Sequence, residues 1–156
     1  KNLERTLSVD SVRGTFSYMA PEVYHGKKYD HRADIYSLAM ILYRLLNRGK
    51  EPFLAADQRM VLPKQKKDAL NRRMNGEALP VPEEASDGLA EILMKAAAFY
   101  PEKRYASASA LAEDLHRLQE GTYRLTGKNP SRYARKKARD HAMVIGAVLA
   151  AVLLLK

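Results

Sequence analysis

The sequence predicts a mainly α-helical fold, in which one helical bundle is followed by a basic linker and by an apolar helix that the end of the chain cuts short. Three segments repeat apolar residues at helical spacing, and each lies between residues that start and stop helices. No run alternates apolar and polar residues as a half-buried strand does. With 156 residues, of which 46% are hydrophobic, the chain is long enough to bury a single core.

The first long helix is predicted over residues 32–47. Its apolar residues occupy more than one face, which is typical of a helix at the centre of a domain; they are Ile35, Leu38, Ala39, Met40, Ile41, Leu42, Leu45 and Leu46. Asp30 is placed to cap the start of this helix, and Gly49 with Pro52 is expected to end it. The preceding residues, 1–13, show no sustained period and are predicted to form an exposed loop.

Shorter helices are predicted in the second half of the chain. A weakly patterned connection, residues 53–82, contains a basic helix over 65–75 that Gly76 closes. Ser86 is expected to cap the next helix, which ends before Pro101 and carries Leu89, Ile92, Leu93, Ala96 and Ala97. The last helix is predicted to start near Ser107, to end at Gly121 and to bury Leu111, Leu115 and Leu118.

The net charge of +9 is concentrated in one short segment. Seven basic residues lie between positions 124 and 139 with no acidic residue among them; they are Arg124, Lys128, Arg132, Arg135, Lys136, Lys137 and Arg139. The rest of the chain therefore carries a net charge of only +2. A solvated linker and a nucleic-acid patch are two interpretations of such a segment, and a membrane-proximal segment that gains from anionic lipid is the third.

The segment that follows favours the membrane interpretation. Residues 142–155 are fourteen uncharged residues. As a helix they would measure about 21 Å, against about 30 Å for the hydrocarbon core of a bilayer. No buried helix of a small domain needs to be apolar on every face, so a truncated transmembrane helix is predicted over residues 141–156. Because basic residues beside a span mark its cytoplasmic side, we expect a single-pass protein of the cell membrane with a cytoplasmic bundle and no nucleic-acid partner.

Three motifs carry a family resemblance. They are G-T-F-S-Y-M-A-P-E at 14–22, A-D-I-Y-S-L-A-M-I-L-Y-R-L-L at 33–46, and P-E-K-R-Y-A-S-A-S-A-L-A-E-D-L at 101–115. In this order and spacing they resemble the large lobe of a bacterial membrane-anchored serine/threonine protein kinase. The resemblance covers about residues 1–120 as a partial kinase domain without its β-rich nucleotide lobe. The basic linker, 121–140, and the apolar segment, 141–156, also match that type.

The resemblance implies roles for the first motif and the loop before it. Residues 1–13 would be the latter part of the activation segment, with candidate phosphorylation sites at Thr6, Ser8 and Ser11. Thr15 would reach the catalytic aspartate and lysine and mark specificity for serine and threonine rather than tyrosine. The activation-segment and substrate-pocket residues would be Thr15, Phe16, Ser17, Tyr18 and Met19.

The resemblance also implies three structural anchors. Glu22 would pair with Arg104, and Asp34 would hydrogen-bond the backbone of the catalytic loop. Simpler interpretations stay open at this point: Glu22 and Arg104 are each compatible with solvated surface charges, the loop hydroxyls with ordinary loop residues, and Tyr18 and Met19 with simple core packing. The implied partners are protein substrates and other kinase chains, and the membrane-proximal basic residues would be Arg132, Arg135, Lys136, Lys137 and Arg139.

Two features that suggest chemistry are set aside. The stretch D-H-R-A-D, residues 30–34, looks like a kinase catalytic loop, but it follows A-P-E and opens a helix, so we interpret it as non-catalytic. None of the four histidines has the spacing of a metal site, and the chain has no cysteine, so no metal or disulfide is expected. The zero cysteine count also fits a reducing compartment.

The motifs that bind nucleotide in kinases do not occur in these residues. The glycine-rich loop, the strand lysine with its glutamate, the catalytic-loop aspartate and the D-F-G magnesium ligand are all missing. We therefore expect no catalytic residue and no cofactor in this chain, ATP and Mg²⁺ being bound by an intact parent kinase that phosphorylates protein serine and threonine. The alternative hypothesis is a non-catalytic, membrane-tethered, pseudokinase-like interaction domain.

Overall fold

A computed structural model describes residues 16–126 and, beyond them, positions 146 and 150. Within residues 16–126 the chain forms helices and no strand, so the prediction of a mainly helical fold is confirmed. The helices are α1 (Pro21–Tyr24), α2 (Arg32–Leu46), α3 (Pro63–Met74), α4 (Asp87–Ala96) and α5 (Ala108–Gln119), with a short 3-10 helix at Pro101–Lys103.

Helix α2 forms the centre of the bundle. Nine of its fifteen residues are buried: Ala33, Ile35, Tyr36, Leu38, Ala39, Met40, Leu42, Tyr43 and Leu46. The N-cap residue is His31, which has no side-chain cap, and the predicted cap Asp30 lies one residue earlier; its Oδ1 accepts a hydrogen bond of 2.9 Å from the Arg32 backbone amide. At the other end Gly49 has a positive φ of 78° and its amide donates to the Arg44 carbonyl at 2.7 Å, which is a typical way to end a helix.

Two residues of α2 differ from the prediction of a helix that is covered all round. Ile41 is 45% exposed and Leu45 is 56% exposed, although they lie on a helix whose other apolar side chains are buried. The two residues are four positions apart and therefore share one face. This face of α2 is left uncovered by the part of the chain that the structure describes.

Helices α4 and α5 complete the core against α2. Helix α4 packs on α2, and α5 packs on α4. Both predicted caps are confirmed: Ser86 Oγ accepts from the Leu89 amide at 3.4 Å, and Ser107 Oγ accepts from the Ala110 amide at 3.1 Å. Leu111 and Leu115 are buried as predicted. Leu118, also predicted to be buried, is only partly buried and packs at the edge of the core.

The basic helix of the connection is α3, and it begins two residues before its predicted start. The Leu62 amide donates to Gln65 Oε1 at 2.9 Å, which satisfies a backbone donor ahead of the first turn. Gly76 ends the helix as predicted, with a φ of 77°. Helix α3 packs against α1, and it reaches the central helix through Arg73, whose Nη1 lies 3.3 Å from the Tyr36 hydroxyl oxygen.

No helix of the described residues is long and apolar enough to cross a membrane. The predicted transmembrane segment, 141–156, lies outside the described residues apart from Gly146 and Ala150, which are helical and exposed. The predicted basic linker is described only up to residue 126, so the predictions for Arg132, Arg135, Lys136, Lys137 and Arg139 also fall outside.

Candidate functional site

The first motif, residues 14–22, forms the segment that leads into α1. It is described from Phe16 onward, and Thr15, Thr6, Ser8 and Ser11 lie outside the described residues. Ala20, which is 1% exposed, holds an extended backbone before α1, and Pro21 occupies the first helical position, where its missing N–H costs nothing. The segment 16–22, which we call the pocket segment, therefore enters α1 in a fixed direction.

Glu22 and Arg104 form a buried ion pair. Arg104 Nη1 donates to Glu22 Oε1 and Arg104 Nη2 donates to Glu22 Oε2, each at 2.7 Å. The Arg104 side chain is 0% exposed and that of Glu22 is 7% exposed. The structure thus brings together the two residues predicted to pair, and their burial rules out the interpretation as solvated surface charges.

The remaining donors of Arg104 bind three backbone carbonyls. They are the carbonyl of Ala98, which accepts from Nε at 2.7 Å, that of Phe99, which accepts from Nη2 at 3.0 Å, and that of Arg32, which accepts from Nη1 at 2.9 Å. A guanidinium has five N–H donors in a rigid plane, so Arg104 uses each of them. One side chain thereby joins α1, the start of α2 and the loop after α4.

A second buried arginine, Arg73 on α3, holds the pocket segment from its other side. Arg73 is 3% exposed. Its Nη2 donates to the Phe16 carbonyl at 2.6 Å, and its Nη1 donates to the Met19 carbonyl at 3.0 Å. Nη1 also lies 3.3 Å from the Tyr36 hydroxyl oxygen, which accepts from it. The pocket segment is therefore fixed at both ends by charged side chains from distant parts of the sequence.

The ring of Tyr36 lies between these two arginines. The guanidinium carbon of Arg104 is 4.7 Å from the ring centroid, and that of Arg73 is 5.8 Å from it. Both distances are in the range of cation–π attraction. Burial raises the pKa of Tyr36 above its ordinary value, so the residue stays a neutral phenol between two cations. Tyr36, on the central helix, thus contacts both of the arginines that hold the pocket segment.

The middle of the pocket segment binds the region where α2 ends. Ser17 Oγ donates to Glu51 Oε1 at 2.7 Å, and Arg44 Nη1 donates to the Tyr18 hydroxyl. Phe16 makes an edge-to-face contact with Tyr24, with centroids 5.9 Å apart. The side chains predicted for the pocket, Phe16 to Met19, are all partly exposed, so the segment is held by its neighbours and still faces outward.

Sequence reasoning missed Arg73, and it placed Asp34 without a local partner. Arg73 stands in a run of basic residues that looks like a solvated face, and the available signal was its position four residues after the apolar Ala69 on the same helical face. Asp34 is in the first turn of α2 and is exposed. Its predicted partner, the backbone of a catalytic loop, is not among the described residues. The stretch D-H-R-A-D opens α2, where His31 Nε2 donates to the Ala106 carbonyl at 2.8 Å.

A cavity of about 880 Å³ lies elsewhere on the bundle. Its lining comes from α4, α5 and the residues after them, and shares no residue with the pocket segment; it consists of Glu91, Met94, Lys95, Lys103, Asp114, Arg117, Thr122, Tyr123, Arg124 and Thr126. In residues 16–126 no three side chains of His, Cys, Asp or Glu are grouped to hold a metal ion. The pocket segment with its two buried arginines is therefore the candidate functional site.

Comparison with known proteins identifies the class of this arrangement. The family described as Protein kinase domain matches residues 1–115. The chain therefore belongs to the protein kinase domain family. It is 41% identical over 108 residues to the tyrosine-protein kinase MasK of Myxococcus xanthus, covering 67% of this chain and 15% of that protein.

Two further relatives carry serine/threonine kinase names. The serine/threonine-protein kinase PknB of Mycobacterium leprae is 32% identical over 112 residues, 71% of this chain and 17% of that protein. The serine/threonine-protein kinase AtPK1/AtPK6 of Arabidopsis thaliana is 30% identical over 115 residues, 74% of this chain and 22% of that protein. The chain thus spans less than a quarter of the length of each of these relatives.

Proposed function

We propose that this chain is the substrate-docking part of a protein kinase that transfers the γ-phosphate of ATP to serine or threonine hydroxyls of proteins. The observation that supports this best is the attachment of the pocket segment to the bundle by Arg104 and Arg73. Phosphoryl transfer depends mainly on positioning and on electrostatic stabilisation of the transferred group. A rigidly held segment that faces outward is what positioning of an acceptor hydroxyl requires.

The nucleotide site belongs, in this proposal, to another part of a longer polypeptide. The residues of this chain do not fit ATP and Mg²⁺, because they include none of the kinase motifs that bind them. The uncovered face of α2 at Ile41 and Leu45 supports a further segment packing there, since exposed apolar side chains on a central helix are unusual. The chain by itself would then dock substrate and catalyse nothing.

The acceptor residue is proposed to be serine or threonine, because the kinase resemblance implies that Thr15 marks specificity for these residues rather than for tyrosine. The names of the relatives include both a tyrosine kinase and serine/threonine kinases, so the comparison leaves the acceptor open. Thr6, Ser8 and Ser11 are proposed phosphorylation sites of the activation segment, where Arg5 and Arg13 are near enough in sequence to pair with an added phosphate. Mass spectrometry of the phosphorylated protein tests these three positions.

The membrane location is also a proposal. Residues 141–156 would form a single-pass anchor, and the basic residues Arg132, Arg135, Lys136, Lys137 and Arg139 would lie on its cytoplasmic side next to anionic lipid. Protein substrates and other kinase chains would then meet the bundle at the cytoplasmic surface. Sedimentation of the protein with membranes, and its release by deletion of residues 141–156, tests this location.

The upstream reading frame and a transfer assay test the proposed function. We expect codons upstream of Lys1 to encode the glycine-rich loop, the strand lysine, the catalytic-loop aspartate and D-F-G. We expect the extended protein to label a mixed protein substrate with radioactive phosphate, and acid hydrolysis to release phosphoserine and phosphothreonine. An upstream start codon with no D-F-G before the chain would refute the parent enzyme, and phosphotyrosine alone would refute the acceptor.

The second candidate is a non-catalytic interaction domain tethered to the membrane. The observation that favours it is that the pocket segment and its anchoring arginines are assembled within residues 16–104 without any nucleotide motif. This candidate predicts that the chain retains kinase substrates or partner kinases in a pull-down without nucleotide. Retention of the same partners only when the upstream residues are present would count against it.

A further inference from the structure

The connection between α2 and α4 carries an exposed basic surface that the kinase assignment leaves unexplained. We define the α3 tip as residues 60–68, which include the first two turns of α3. All six residues of these turns are exposed, and only Ala69, Arg73 and Met74 of the helix are buried. The tip therefore projects from the bundle and carries Lys64, Lys66 and Lys67 into solvent.

The three lysines lack acidic partners within the described residues. The arginines Arg32, Arg48, Arg72 and Arg117 have side chains that are between 31% and 53% exposed, and each lies within 4 Å of a carboxylate, whereas none of the three lysines does. Over residues 57–68 four cations face two acids, Asp57 and Asp68, so the positive charge of the region is only partly offset. The tip therefore presents a positive field that an acidic partner would complement.

Two large apolar side chains accompany these cations. Met60 is 75% exposed and Leu62 is 55% exposed, and they lie three residues and one residue before Pro63, where α3 begins. Exposed apolar side chains that are surrounded by charged residues are a feature of protein contact sites. Met60 is also flexible enough to adapt to partners of different shape.

Helix α3 connects the exposed tip to the pocket segment. Arg73, near the other end of α3, donates to the Phe16 and Met19 carbonyls, and His25 Nε2 donates to the Met74 carbonyl at 2.8 Å. From Arg73 to Lys64 the helix rises about 14 Å, a distance that about four residues of extended chain cover. A protein bound at the tip is therefore held at a fixed distance from the pocket segment.

We propose that the α3 tip docks an acidic segment of the protein substrate, located about four or more residues from the hydroxyl that is phosphorylated. Carboxylates of that segment pair with Lys64, Lys66 and Lys67, and apolar side chains beside them contact Met60 and Leu62. This inference rests on the proposed function and names the class of substrate. It favours a protein partner over a lipid surface because the tip is anchored to the segment proposed to hold an acceptor residue.

Peptide binding to the full chain tests the proposal without requiring catalysis. The probe is a fluorescent peptide in which a serine is followed, four residues later, by five alternating acidic and leucine residues; the matched probe has Asn and Gln in place of the acids. We expect the acidic probe to bind about tenfold more tightly, as three exposed ion pairs would give, and to weaken as salt is raised. Equal binding of both probes would overturn the proposal.

Charge reversal locates the site. The Lys64→Glu/Lys66→Glu/Lys67→Glu variant is expected to lose about tenfold in affinity for the acidic probe. The control variant Lys27→Glu/Lys28→Glu/Lys103→Glu makes the same change in net charge at other exposed lysines and should lose less than about threefold. Equal losses in the two variants would contradict docking at the tip. The tip variant should retain its thermal midpoint, since carboxylates at the start of a helix are favourable.

Two further measurements separate this inference from its alternatives. In the extended protein, reversal at the tip should raise KM for an acidic substrate and leave kcat unchanged. Absence of transfer to any substrate would refute the proposed function, while the peptide affinities would still decide the docking site.

Vesicles of phosphatidylcholine and phosphatidylserine should bind the reversed and native chains equally. Loss of vesicle binding with unchanged peptide binding would assign the tip to lipid and refute the proposal.

Discussion

The Glu22 carboxylate and the Arg104 guanidinium are joined by two parallel hydrogen bonds of 2.7 Å, although the two residues are 82 positions apart. This geometry fixes both the distance and the plane of the two groups, which a single charge–charge contact does not. It connects the end of the pocket segment to the loop between α4 and α5. The Glu22–Arg104 pair therefore fixes the orientation of the outward-facing pocket segment relative to the core of the bundle.

Removing one partner of this pair should destabilise the bundle strongly. We expect Arg104→Met to lower the free energy of unfolding by about 3–5 kcal/mol, because it leaves the buried Glu22 carboxylate without its counter-charge. Urea denaturation measures the change. The double variant Glu22→Gln/Arg104→Met should be more stable than Arg104→Met alone, because it removes the unpaired charge.

The exposed pair Glu113 and Arg117 provides the control for this cycle. Its side chains are 62% and 53% exposed, and they lie one helical turn apart on α5. We expect Arg117→Met to change the free energy of unfolding by less than about 1 kcal/mol, because an exposed pair is screened by water and salt. Similar changes in the free energy of unfolding for Arg104→Met and Arg117→Met would show that the buried Glu22–Arg104 pair does not anchor the bundle.

Arg73→Met should loosen the pocket segment. The substitution leaves the Phe16 and Met19 carbonyls without their donor, at a cost of about 1–3 kcal/mol for each group that stays buried. Hydrogen exchange of the amides in residues 16–24 should become faster, while that of α4 changes less. The neighbouring variant Arg72→Met removes an exposed ion pair with Glu77 and a contact with the Phe53 ring, neither of which involves the pocket segment, and should leave exchange there unchanged.

Gly76→Ala should destabilise the end of α3 for two reasons. Gly76 has a φ of 77°, which costs other residues about 1–2 kcal/mol, and an added Cβ would lie 3.2 Å from the Phe99 ring. Gly121→Ala is the matched control, because Gly121 has a φ of 72° and nothing within 4 Å of an added Cβ. The difference between the two thermal midpoints measures the ring contact. Equal midpoints would mean that Phe99 moves aside without cost.

The Asp30 carboxyl should titrate at unusually low pH. A side-chain hydrogen bond from Arg32, which also donates its backbone amide, lowers the pKa of Asp30 from 3.8 to about 2. Because the folded pKa is depressed, the interaction stabilises the fold above about pH 4 and is lost as the pH falls towards 2. A carbon-detected NMR titration measures the pKa. In Arg32→Ala it should rise towards 3.8, and an unchanged value would assign the shift to another group.

The elements that have strong local signals could be predicted from the sequence. The helices starting at Ser86 and Ser107 combine a capping hydroxyl with apolar residues at helical spacing, and both caps are observed. The end of α3 at Gly76 follows from a residue that alone favours a positive φ. These features depend on interactions within a few residues, which a sequence displays directly.

The features that could not be predicted depend on contacts between distant residues. Arg73 lies in a basic run, and its spacing of four residues from Ala69 is too weak a local signal to predict that it is buried while Arg72 beside it is exposed. Its burial arises because α3 packs on α1 and brings the Phe16 and Met19 carbonyls within reach. The exposure of Ile41 and Leu45 is likewise set by which segments cover α2, and apolar spacing along one helix does not specify its partners.

The most direct test of the account compares phosphate transfer by this 156-residue chain with transfer by the same chain extended upstream. Both are incubated with radioactive ATP, Mg²⁺ and one serine-containing acidic peptide, and the peptide is counted. We expect the extended protein to label the peptide and the chain alone not to label it, because the proposed role of this chain is substrate docking and its residues include none of the nucleotide motifs. Labelling of the peptide by the chain alone would contradict the account.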